Sequence, residues 1–216
     1  MIALIDYGSG NLRSVEKALA RVGGDVRIVN APADVLAADA VVLPGVGAFG
    51  DCVTNLAKLN LANAIGEFIA SKRPFLGICV GLQMLFETGA ESPSVAGLSV
   101  LPGTVPRFPE SKLKVPHMGW NQLRIKRPDC PLLRGVPDGS HVYFVHSYYG
   151  QPRDNSVVAA TTEYGVEFAA ALWRDNVFAT QFHPEKSQAI GLKMLENFVE
   201  LQKSGVRSQE SGGRKT

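Results

Sequence analysis

Short apolar runs alternate with segments of helical period through the first 80 residues, and no other feature constrains the fold as tightly. Ile2 to Asp6 reads as a strand, and Leu12, Val15, Leu19 and Val22 then recur at helical spacing until Gly23-Gly24 stops them. Val26 to Val29 is a second strand, Asp34 to Ala38 a short helix and Ala40 to Leu43 a third strand. A long helical stretch from about Asp51 to Lys72, with a break near Asn60, leads to a fourth strand at Phe75 to Cys79. Apolar strands that alternate with helices predict an α/β fold: a mostly parallel central sheet with helices on both faces. The functional edge of such a sheet lies where its strands end.

After Glu91 the pattern changes. Val142 to Tyr149, Val157 to Thr161, Ala169 to Trp173 and Val177 to Phe182 read as strands joined by turns, which predicts an additional mixed or antiparallel sheet region. Ser187 to Gln202 closes the fold as a helix with Ile190, Met194, Leu195 and Phe198 on one face. Residues 1–202 are expected to form one domain, with residues 203–216, rich in Gly, Ser and charge, as a disordered tail.

Charge and cysteine usage narrow the setting. The formal charge is +2, but Lys203, Arg207, Arg214 and Lys215 against Glu210 place an excess of three positive charges after Gln202, so the folded body carries −1. That body has no basic excess of the kind that binds nucleic acid or a membrane surface. Three cysteines make no disulfide framework, and the first residues lack the basic flank of a secretion signal, so a reducing cytoplasm is expected. The most apolar window, Pro74 to Phe86, is interrupted by Gly77, Gly81 and Gln83, too short and broken to span a bilayer.

Gly8-Ser9-Gly10 after the first strand resembles a dinucleotide fingerprint, but its third glycine falls on Arg13, and the second strand ends at Asn30 where an acid would be needed. No phosphate-binding loop of the GxxxxGK[ST] type occurs. Gly77-Ile78-Cys79-Val80-Gly81 is more informative. Small residues two positions either side of a nucleophile permit the sharp strand-to-helix turn that exposes it. A thiolate there would meet the positive end of the following helix. Cys52, beside Asp51, and Cys130, between Asp129 and Pro131, read as structural.

A cysteine nucleophile needs a base. Of His117, His141, His146 and His183, His183 alone has a carboxylate two residues away, in His183-Pro184-Glu185, where an extended backbone would set both side chains on one side. The Pro44 to Gly50 turn follows the third strand and would lie beside the Cys79 strand end. It can offer a backbone N–H to a developing oxyanion, with the Val80 N–H as the second donor. Tyr143 to Tyr149 reads as a strand whose polar members line a pocket.

Gly77 to Gly81 with Gln83, the Pro44 to Gly47 turn and His183-Pro184-Glu185 together resemble the class I (triad) glutamine amidotransferases, from Ile2 to about Leu201. Within that class, Asp6 to Leu12, Pro116 to Asn121 and Tyr143 to Tyr148 look like the glutaminase subunits of imidazole glycerol phosphate synthases. The resemblance implies that Cys79 attacks the glutamine carboxamide, that Val46 and Val80 stabilise the oxyanion through backbone N–H groups, and that His183, oriented by Glu185, transfers protons. Water would then hydrolyse the γ-glutamyl thioester. Gly47, Gln83, Ser147 and Tyr148 would hold glutamine, and Trp120, Tyr143 and Lys186 would face a partner. No cofactor and no metal is implied. Val80 replaces a more usual leucine, where its amide alone is needed.

The implied partner is a (β/α) barrel cyclase subunit of imidazole glycerol phosphate synthase, which in a heterodimer would use the ammonia to make imidazole glycerol phosphate and an aminoimidazole carboxamide ribonucleotide in histidine biosynthesis. Two alternatives stay open: a glutaminase subunit for another acceptor, such as pyridoxal phosphate or anthranilate synthase, against which Pro116 to Asn121 argues, and a Cys-His-Glu peptidase or γ-glutamyl hydrolase.

Overall fold

The computed structural model describes residues 1–110 and 112–212, with backbone alone over 205–212. The first half runs β1 (Ile2–Ile5), α1 (Leu12–Arg21), β2 (Val26–Val29), α2 (Pro32–Ala37), β3 (Ala40–Leu43), α3 (Phe49–Lys58), α4 (Leu61–Ala70), β4 (Phe75–Ile78) and α5 (Val80–Gln83). Then follow β5 (Thr88–Gly89), β6 (Gly103–Val105), β7 (His117–Gln122), β8 (Arg124–Ile125), β9 (His141–His146), β10 (Gln151–Pro152), β11 (Val158–Glu163), β12 (Glu167–Arg174), β13 (Val177–Thr180) and α6 (Gln188–Gly212).

The main sheet has the order β2-β1-β3-β4-β13-β12-β11-β8. β2, β1, β3, β4 and β13 run parallel, and β12, β11 and β8 continue the sheet antiparallel. The expected architecture is therefore present, with one refinement: β13 returns to the parallel half and pairs with β4. That pairing sets Thr180 opposite Ile78, so the residues after each strand meet at one sheet edge. Leu43 opposite Gly77 brings the turn after β3 to the same edge.

β1, β3, β4 and β13 are buried at every position, as strands covered on both faces must be, which is why they read as unbroken apolar runs. The helical stretch does break at Asn60, which adopts a left-handed conformation with φ 55° between α3 and α4. α6 packs Met194, Leu195, Phe198 and Val199 into the core and continues through Gly212, beyond the expected close at Gln202. Once a helix is docked, each further residue adds a hydrogen bond without a new nucleation cost. Residues 213–216 of the expected tail lie outside the described residues. No described helix is long and apolar enough to cross a membrane.

β7 and β9 form a separate two-stranded antiparallel sheet, His117 opposite His146 and Gln122 opposite His141. Phe144 on β9 ties it to the core through edge-on contacts with Phe168 and Phe182. β7 is absent from the sequence reading because its inward residues are His117, Gly119 and Asn121, so the usual apolar alternation is inverted.

Candidate functional site

Cys79 sits at the junction of β4 and α5 with φ 56° and ψ −109°, a conformation that disfavours any side chain and persists only where the surroundings enforce it. Here they do. Cys79 N–H donates to Thr180 O at 2.8 Å, and its own carbonyl accepts from Leu82 and Gln83. A Cβ on Gly81 would stand 2.0 Å from the Leu43 carbonyl oxygen, so the elbow requires glycine there. α5 is a single turn, shorter than the expected helix, so a helix dipole contributes little at Cys79 and the local N–H groups remain.

His183 and Glu185 meet, with Nδ1 and Oε1 2.8 Å apart and both side chains 3% exposed or less. They do so by a different route from the extended one expected. Pro184–Lys186 is a 3₁₀ turn, with Pro184 at its first position, where a missing N–H and a fixed φ cost nothing. Burial opposes charge on His183, but its neighbours Cys79 and Glu185 outweigh it and raise its pKa to about 10. His183 Nε2 is buried and has no hydrogen-bond partner, so it is the ring nitrogen left free of Glu185. A thiol, an imidazole and a carboxylate in this order can generate a thiolate and return a proton to a leaving group.

Cys79 and His183 share a cavity of about 290 Å³ with Val46, Gly47, Gln83 and Tyr148. Ser147 and Val80 also line it, so the residues expected to hold a substrate converge. Two residues absent from the sequence reading, Gln181 and Glu91, complete the surroundings. Gln181, fully buried, donates from Nε2 to Cys79 Sγ at 3.9 Å. Gln83 Nε2 donates in turn to Gln181 Oε1 at 3.3 Å and to the Tyr148 carbonyl at 3.0 Å. Glu91 lines the cavity and accepts the Phe49 N–H at the start of α3. Gln181 could have been found two residues before His183, where strand alternation turns it toward the same side; Glu91, in an irregular loop, left no such signal.

The turn after β3 is held by side chains. Tyr7 donates to the Pro44 carbonyl at 2.8 Å, and both Ser9 Oγ and Cys52 Sγ donate to the Val46 carbonyl, the latter at 3.5 Å. Burial raises the pKa of Cys52, and it remains a neutral thiol. Val80 N–H donates to the Gly45 carbonyl at 3.4 Å. In a trans peptide N–H and C=O point opposite ways, so the Val46 N–H is directed away from the Val80 amide.

A model of class I glutamine amidotransferases matches residues 3–201. The chain belongs to the class I glutamine amidotransferase family. It is 56% identical over 206 residues to the imidazole glycerol phosphate synthase subunit HisH of Geobacter sulfurreducens, covering 93% of this chain and 98% of that one. Against the HisH subunit of Moorella thermoacetica it is 55% identical, covering 93% and 94%. Among solved structures, a glutamine amidotransferase superposes with a TM-score of 0.74 at 18% identity, covering 94% of this chain and all of that one. PurLQS from Thermotoga maritima superposes at 0.71 and 19%, covering 95% and 98%.

Outside this amidotransferase's cavity, Trp120 and Met118 project from β7, 47% and 63% exposed. Trp120 meets Tyr143 edge-on at 6.1 Å, and Lys186 Nζ lies 5.8 Å from the Tyr143 ring. The three residues expected at a partner face thus form one cluster. Among the described residues no group of histidine, cysteine, aspartate and glutamate is arranged to hold a metal ion.

Proposed function

We propose that this chain is the glutaminase subunit of an imidazole glycerol phosphate synthase, hydrolysing glutamine and passing ammonia to a (β/α) barrel cyclase subunit in the cytoplasm. The observation that carries the reading is the strained Cys79 beside an unengaged His183 Nε2, within a family whose relatives bear that subunit's name. Cys79 attacks the carboxamide carbon as a thiolate, and His183 delivers a proton to the departing ammonia. His183 then takes a proton from water as water attacks the γ-glutamyl thioester, and glutamate leaves with Cys79 restored. Glu185 keeps the imidazole oriented and favours its cationic form.

Glutamine is a zwitterion with an amide. Gln83 has both amide hydrogens engaged within the protein, so its Oε1 is the acceptor it offers, while Gly47, Ser147 and Tyr148 shape the cavity. Glu91 supplies a carboxylate for the α-ammonium group. The exposed Trp120 and Met118 beside Tyr143 and Lys186 favour a macromolecular acceptor over a free-standing γ-glutamyl hydrolase.

Val80 and Val46 form the oxyanion hole once the Gly45–Val46 peptide turns. With the Gly45 carbonyl on the Val80 amide, one donor is occupied and the other averted. Turning that plane changes ψ of Gly45, which has no Cβ, and φ of Val46, whose branched side chain resists positive values. The idle orientation is therefore the cheaper one, and partner and nucleotide must favour the other. Steady-state glutaminase assays of the chain alone, with its partner and with partner plus nucleotide ligand test this reading. kcat is expected to rise at least about tenfold in the liganded complex, with a smaller change in KM, because the gained interaction belongs to the transition state. Equal kcat in all three would remove the switch, and no turnover in any would remove the glutaminase.

A further inference from the structure

A second pair of histidines, of which His146 lines the same cavity, takes no part in the chemistry above. His117 on β7 and His146 on β9 face each other across the two-stranded sheet, with His117 Nδ1 and His146 Nε2 3.0 Å apart. Both are buried, at 3% and 6% exposure, among the rings of Phe108, Phe144, Tyr164 and Phe168. His146 Nδ1 lies 2.7 Å from the Tyr148 carbonyl, and His117 Nε2 lies 3.2 Å from Asn121 Nδ2.

The groups at the two ends have fixed roles, and those roles determine every proton between them. The Tyr148 carbonyl can only accept, so His146 Nδ1 carries hydrogen. Asn121 Oδ1 accepts from Gln122 N–H and Asn121 Nδ2 donates to the Glu163 carbonyl, so the amide presents hydrogen to His117 Nε2. His117 Nε2 is therefore an acceptor, and His117 Nδ1 donates to His146 Nε2. An extra proton on either ring would set two donors against each other. Burial among aromatic rings opposes such a charge as well, lowering the pKa of His117 to about 4 and that of His146 to about 3.

The chain of hydrogen bonds does not stop at Tyr148. The same carbonyl accepts from Gln83, which bonds Gln181, which bonds Cys79 Sγ. A carbonyl held by His146 thus determines which way the Gln83 amide faces and leaves Gln83 Oε1 for a ligand. The other end lies on β7, whose outer face carries Met118 and Trp120.

We propose that His117 and His146 are a positioning pair for the glutamine site: fixed as neutral Nδ1–H tautomers, they carry a directional chain of hydrogen bonds from β7 to the Tyr148 carbonyl and so orient Gln83 toward the substrate. The inference rests on the glutaminase reading in one respect, that its kinetic test needs turnover of glutamine. The spectroscopic test does not. In the full chain labelled with ¹⁵N-histidine, both rings should show a protonated Nδ1 and an unprotonated Nε2 at neutral pH. A protonated Nε2 on either ring overturns the proposal.

In the complex with its partner, His146→Leu should raise KM for glutamine about tenfold, the effect of one lost buried hydrogen bond, with a smaller change in kcat. His146→Asn places an amide hydrogen near the position of Nδ1–H and should recover most of that loss. Unfolding midpoints of both variants accompany the assay. A folded His146→Leu chain with unchanged KM, or an Asn variant no better than Leu, would count against the pair while leaving the Cys79 chemistry standing. Should neither variant fold, the tautomers of the unmutated chain decide alone. An unmutated complex that turns over no glutamine would instead sink the glutaminase reading.

Discussion

Two tight glycine turns lie side by side at the ends of β3 and β4, and they differ in how far packing locks the main chain. At the elbow, added Cβ atoms on Gly77 and Gly81 would meet backbone at 2.8 Å and 2.0 Å, so the main chain has nowhere to move. At the neighbouring turn, a Cβ on Gly47 would meet nothing nearer than Ser9 Oγ at 4.0 Å, and Val46 is 39% exposed. Gly45 at its start is packed as closely as the elbow, a Cβ there meeting Tyr7 Oη and Val80 Cβ at 2.8 Å, whereas the Pro44 and Val46 carbonyls that follow are held by donors from Tyr7, Ser9 and Cys52. A nucleophile must stay where it is aimed. In the proposed function, an oxyanion donor that responds to a partner has to be able to turn.

The strongest test of the fixed half is Cys79→Ser, which should lower glutamine-dependent synthesis by about 10⁴-fold or more while the partner still uses added ammonia. Full glutaminase activity in this variant would end the nucleophile assignment, and loss of the ammonia-dependent rate would mean a structural role.

The comparison itself is tested by two alanines. Gly81→Ala should cost about 3 kcal/mol or more of stability, because backbone meets backbone. Gly47→Ala has room but a φ of +97°, and should cost about 1–2 kcal/mol. Its turnover should nevertheless fall about 10²-fold, comparable to the loss of an oxyanion donor. Calorimetry beside steady-state assays separates the two, and equal stability losses would abolish the distinction.

Glu185→Gln should reduce kcat about tenfold and His183→Ala more. Burial opposes charge on His183, yet Cys79 and Glu185 raise its pKa to about 10, so replacing Glu185 by a neutral amide lowers it. The imidazolium is then lost at lower pH, and the alkaline limb of the kcat/KM profile should move down in Glu185→Gln. An unmoved limb would mean that Glu185 does not act on the His183 charge. The smallest effect belongs to Ser9→Ala. Removing one donor from the Val46 carbonyl loosens the idle turn, so the partner-free rate should rise about threefold to fivefold, equivalent to roughly 1 kcal/mol. A lower basal rate would show that Ser9 supports the active orientation instead.

The parallel half was legible because burial on both faces leaves apolar strands of full length, and because Gly77, Cys79 and Gly81 spell out their turn locally. The pairing of His183 with Glu185 was readable from spacing, although Pro184 achieves it through a 3₁₀ turn rather than an extended segment. β7 was not legible, since a strand that buries histidine, glycine and asparagine carries the reverse of the expected pattern. Gln181 and Glu91 were missed because what distinguishes them is their surroundings: one reaches Cys79 across 102 positions of sequence, the other caps α3 from a loop.

The sequence by itself determined the order of strands and helices, the elbow around Cys79 and the histidine–carboxylate pair, because each depends on residues within a few positions of one another. Tertiary structure alone decided that β13 returns beside β4, which brings His183 to Cys79, and that the Gly45 carbonyl rests on the Val80 amide. It also decided that two histidines 29 positions apart share one hydrogen bond. Local chemistry is written in neighbouring side chains; the direction of a peptide plane and the tautomer of a buried ring are fixed by partners that folding brings from elsewhere in the chain.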